Sequence, residues 1–124
     1  MDQLILHLIG DYVTQSDWMA QGKRKWWWPA LVHAAVYTVP FALAYRNEDA
    51  NLVILWSHFL IDRYGLARYL VFAKNFLGWP WPRWSDCKAT GYPSDRPAWM
   101  AVWLLIAADN TIHLAINYAA LKWL

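Results

Sequence analysis

At 124 residues with 59% hydrophobic and 18% aromatic side chains, the chain is sized for one domain and too apolar for a disordered tail. Charged residues make up only 16%, and 11 Lys and Arg against 9 Asp and Glu leave a net +2, too weak a balance for a nucleic-acid footprint. The mean hydropathy of +0.13 understates the apolar content, because the 11 Trp and 7 Tyr score as polar yet favour membrane interfaces. The single Cys87 excludes an internal disulfide and a paired-cysteine metal knuckle. No basic stretch precedes the first apolar run, so the start reads as a mature helix rather than a signal peptide.

In chain order, the first predicted span is 4–19, which carries His7, Asp11, Gln15 and Asp17. The second, 26–45, has no formally charged side chain and is long enough to cross a hydrocarbon core of about 30 Å at roughly 1.5 Å per residue. Pro29 near its start is well placed, while Pro40 is expected to kink it. The third, 52–72, is interrupted by Asp62, Arg63 and Arg68, so its second half is expected to turn interfacial. The fourth, 98–121, holds one charge, Asp109. The expected fold is therefore all-α, a four-helix transmembrane bundle forming one membrane-embedded domain over 1–124.

Basic residues orient it. Lys23, Arg24 and Lys25 in the first connection, with Lys74, Arg83, Lys88 and Arg96 in the third, place both on the cytoplasmic side and both termini outside. The cytoplasmic loop 74–97, with Pro80, Pro82 and Pro93, is long for a structureless connection and reads as a lid or, more simply, a loosely held surface segment.

All four histidines fall inside predicted spans. His7 with Asp11, His58 with Asp62 and His113 with Asp109 are each four apart, on one helix face. Chance supplies roughly half of one such match in this composition. The first and third spans read His then Asp, whereas the fourth, running the other way, reads Asp then His. His7, His58 and His113 would thus form one layer, and Asp11, Asp62 and Asp109 another about 6 Å deeper, with His33 meeting the carboxylates from below. A charged carboxylate at mid-membrane costs about 3 kcal/mol on insertion scales, so three require protonation or bound cations. Arg63 is the expected nearby cation and cannot balance three anions alone.

Imidazole and carboxylate are ordinary ligands of Zn²⁺, and such mixed sites also take Mn²⁺ or Fe²⁺. The expected metal ligands are His7, Asp11, His33, His58, Asp62, Asp109 and His113, enough for two divalent ions with Zn²⁺ favoured. Asp11, Asp62 and Asp109 are the expected catalytic groups, bridging or acting as base. Gln15, Tyr37, Asn110 and Asn117 lie at helical spacing from the cluster and are expected to orient ligands or to pair between helices.

The stretch His7-Leu8-Ile9-Gly10-Asp11-Tyr12 with Gln15, Asp17, Trp18 and Met19 resembles the first helix of a family of small bacterial and phage membrane proteins catalogued as domain of unknown function 3307. The resemblance continues through Leu31-Val32-His33, His58-Phe59-Leu60-Ile61-Asp62-Arg63 and Asp109-Asn110-Thr111-Ile112-His113. It implies a membrane protein, with the bacterial inner membrane the expected location, and names no reaction.

These residues point to a membrane-embedded metal-dependent hydrolase acting on a lipid or lipid-linked ester or phosphoester. Two alternatives use the same groups: a non-enzymatic phage-type membrane protein whose His-Asp pairs lock helices, and a proton or metal-ion conduit. The expected partners are membrane lipids, with a homo-oligomer allowed and no nucleic acid.

Overall fold

The structure, a computed structural model, describes residues 2–124, and all regular elements among them are helical. Helix α1, Asp2–Leu8, passes without a break into a π turn, Ile9–Val13. The wider turn is closed by the Thr14 amide donating to the Ile9 carbonyl at 3.0 Å, five residues back, while the Thr14 hydroxyl donates to the Gly10 carbonyl. The chain then breaks and restarts at α2, Asp17–Gly22, where the Ser16 hydroxyl accepts from the Met19 amide. The predicted span 4–19 is thus two helical pieces with a break between them. Gln15 falls in that break, so it is not one helical turn beyond Asp11.

Helix α3, Trp27–Ala44, matches the predicted second span to within one residue at each end. Pro40 sits inside it, and the helix continues to Ala44. Helix α4, Glu48–Tyr64, starts under Asn47, whose side-chain oxygen accepts from the Ala50 amide, with Glu48 and Asp49 complementing the positive helix start. It ends at Gly65, whose φ of 58° suits a residue without Cβ. The predicted span 52–72 is therefore divided, its remainder becoming α5, Ala67–Lys74. A 3-10 turn, Asn75–Leu77, and a short α6, Trp84–Cys87, follow, before α7, Ala98–Trp123. The chain is all-α, and among the described residues α3 and α7 are the two helices long and apolar enough to cross a membrane.

The chain divides into two compact units, 1–64 with 113–124, and 65–112. In the first, α3 packs along α4 and also meets α1, the π turn and α2. Tyr37, Phe41, Ala50, Ile54 and Ala120 form its apolar core, with Leu6 and Leu121 against it.

In the second unit the connection 74–97 is held down. Arg68 donates to the Lys88 carbonyl at 2.9 Å and lies over the rings of Tyr69 and Trp84, which stack at 4.8 Å. Asn75 donates to the Gly91 carbonyl at 3.0 Å. Gly91 has φ 86°, and a Cβ there would meet the Arg68 carbonyl and lie 2.8 Å from the Phe72 nitrogen. Cys87 is buried, and burial pushes its thiol pKa up, which keeps it protonated and unreactive.

Candidate metal centre

The first unit has a polar interior. His7, His33, His58, His113, Asp11, Asp62 and Asn117 are all buried there, the imidazoles at 0 to 1% exposure. They arrive from five pieces of chain: His7 from α1, Asp11 from the π turn, His33 from α3, His58 and Asp62 from α4, and His113 and Asn117 from α7.

The innermost group is His33, His58, Asp11 and Asp62. The two Nε2 atoms are 2.9 Å apart. His33 Nε2 lies 3.1 Å from Asp11 Oδ1 and 3.2 Å from Asp62 Oδ2, and His58 Nε2 lies 3.4 and 3.3 Å from the same two oxygens. Four ligand atoms around Zn²⁺ at about 2.0 to 2.1 Å define a tetrahedron with edges of roughly 3.3 Å. The five distances above run from 2.9 to 3.4 Å, so the four groups can hold an ion of that size. The donor set, two neutral nitrogens and two carboxylates, suits Zn²⁺, Mn²⁺ or Fe²⁺.

A second tier surrounds it. His113 Nε2 is 3.2 Å from Asp62 Oδ1, and His7 Nε2 is 3.6 Å from Asp11 Oδ2. His7 Nδ1 is 2.7 Å from the Tyr37 hydroxyl, which also accepts from Asn117 Nδ2 at 2.7 Å. The Tyr37 ring lies flat against His58, with centroids 3.7 Å apart and planes at 17°. That close approach needs Gly10 in the π turn, because a Cβ there would sit 2.5 Å from Tyr37 Cδ2.

Six of the seven predicted ligands are therefore buried in this unit; Asp109, the seventh and one of three predicted catalytic carboxylates, is half-buried on α7 one turn before His113 and, with Asp11 and His113, offers ligand atoms within 4.8 Å of one another. Tyr37 and Asn117 join each other rather than acting separately. The expected cation is corrected as well: Arg63 donates to the Arg24 carbonyl at 2.9 Å, and it is Lys23 whose Nζ lies 2.8 Å from Asp62 Oδ2. Lys23 reads in the sequence as one of three basic loop residues. The clue available there was the charge imbalance of the buried carboxylates, with Lys23 the first cation after the opening helical stretch.

A family model described as "Protein of unknown function (DUF3307)" matches residues 1–120, nearly the whole chain. No curated protein and no solved structure is similar enough to match it.

Proposed function

The chain belongs to the DUF3307 family, whose function is unknown, and from that premise we propose that it is a membrane-embedded, metal-dependent hydrolase of a lipid or lipid-linked ester or phosphoester. The observation that carries this reading is the buried set of His33, His58, Asp11 and Asp62, five of whose ligand-atom separations run from 2.9 to 3.4 Å. A divalent ion in such a set polarises an ester or phosphoryl oxygen and acidifies water beside it. Two carboxylates in an apolar unit also require countercharge, which one Lys supplies only in part.

The chain's own groups fit the remaining tasks. Asp11 turns Oδ2 toward His7 and Oδ1 toward His33 and His58, which suits a bridging carboxylate. Lys23, with its side chain 21% exposed, runs from outside to Asp62 and suits an anionic ester group.

Membrane embedding is supported by an inverted distribution of polarity in the first unit. Its interior holds four histidines and two aspartates, while Trp26, Trp27, Leu43, Leu52, Trp56 and Leu60 face outward. In α7, the best 18-residue apolar window is only 11% buried, unlike the core helix of a soluble protein.

Elemental analysis of the detergent-purified wild type, His58→Ala and Asp62→Ala chains tests the centre. One or more equivalents of metal in the wild type, lost in both variants, is expected; content near zero in all three overturns it. Chelator-sensitive release of a headgroup from lipid vesicles, absent in Asp62→Ala, is the expected enzymatic signal. No release under any metal loading refutes the hydrolase.

The short contact between Lys23 and Asp62 favours a second reading, in which the buried pairs only lock helices. That reading expects His58→Ala to lower the Tm with no metal to lose.

A further inference from the structure

The two carboxylates use their oxygens in a divided way. Asp11 Oδ1 and Asp62 Oδ2 both face His33 and His58. The opposite oxygens, Asp11 Oδ2 and Asp62 Oδ1, face His7 and His113 respectively. Each aspartate thus stands between one imidazole pair and a different imidazole.

Resting on the metal-centre reading above, we propose that His7 and His113, with those outer oxygens, form a second metal position, so that Asp11 and Asp62 bridge two ions. A ring nitrogen of His113 and carboxylate oxygens of Asp11 and Asp109 also lie within 4.8 Å of one another. The His7 and His113 ring centroids are 5.9 Å apart, and His113 stands 4.1 Å from His58, so the two imidazole pairs are neighbours across the carboxylates.

Tyr37 determines which atom His7 offers. With Nδ1 engaged by the Tyr37 hydroxyl at 2.7 Å, Nε2 is the nitrogen turned toward Asp11. Ligating imidazoles ordinarily have their other nitrogen held in this way, which fixes the ring orientation. Charge supports the pairing too. With neutral imidazoles, two carboxylates and one ammonium sum to a net negative charge, whereas two divalent ions would leave the centre cationic and suited to an anionic substrate such as a phosphoester.

The test uses the full chain in detergent, stripped with chelator and loaded with Zn²⁺ or Mn²⁺ alone. Two ions per chain are expected in the wild type, falling to one in His7→Ala and His113→Ala. Mn²⁺-loaded wild type is expected to give an exchange-coupled electron paramagnetic resonance signal, a readout that needs no variant to fold. One ion per chain with an uncoupled signal overturns the second position and leaves the first standing. No bound ion overturns both. Two ions retained in His7→Ala and His113→Ala would move the second ion elsewhere and refute this assignment.

Discussion

Removing only the hydroxyl of Tyr37, as Tyr37→Phe, isolates what that oxygen does. It stands 2.7 Å from both Asn117 Nδ2 and His7 Nδ1, and all three side chains are at most 1% exposed. Each buried polar group deprived of its partner costs roughly 1 to 3 kcal/mol, and two are deprived here, so the loss is about 2 to 6 kcal/mol. The phenyl ring keeps its stack on His58, so no packing loss is added. At roughly 4 °C per kcal/mol for a chain of this size, the Tm falls by about 8 °C or more. Thermal unfolding followed by circular dichroism in detergent, with chelator present, measures it. Pairing the variant with Asn117→Leu gives less than the sum of the two single losses, since both delete one contact. The same variant releases His7, and metal titration then shows the affinity of its ion weakened about 10- to 100-fold. A Tm shift under about 2 °C together with unchanged metal affinity would refute the role given to this hydroxyl.

Other outcomes follow from particular contacts. Gly10→Ala drives a Cβ into the Tyr37 ring and destabilises by about 1 to 3 kcal/mol, measured by the same unfolding, with some metal loss because His7 and His58 both lean on that ring. Lys23→Met removes the ammonium 2.8 Å from Asp62 Oδ2; metal binds severalfold tighter by competition titration, while turnover of an anionic lipid ester falls. Gly91→Ala, strained at φ 86° and crowded by backbone, lowers the Tm without altering metal content measured by elemental analysis.

The buried groups were legible because polar residues in apolar runs are few and helical spacing fixes which face they share. His58 and Asp62, four apart on α4, both arrive at the centre as that spacing implies. Helices α3 and α7 were equally legible, since nothing in 27–44 or 98–123 ends them early. The first and third predicted spans are divided into shorter helices for local reasons that apolar length does not encode. Ser16 restarts a helix by capping it, and Gly65 adopts a left-handed conformation that ends α4. Lys23 was hidden for a different reason. A long flexible side chain on a loop reads as a solvated charge until the fold carries it 39 positions along the chain to a carboxylate.

The π turn at Ile9–Val13 ties the ligand set to a single extra residue. Such turns hold one residue more than the α-helical path needs. Deleting one of residues 8–10 would let the stretch run as an uninterrupted and more regular α-helix, yet it would set His7 and Asp11 three residues apart instead of four and change which part of the helix face each occupies. Regularity and ligand geometry are therefore opposed at this point in the chain, and the irregular backbone is what lets a short opening helix deliver an imidazole and a carboxylate to the same place.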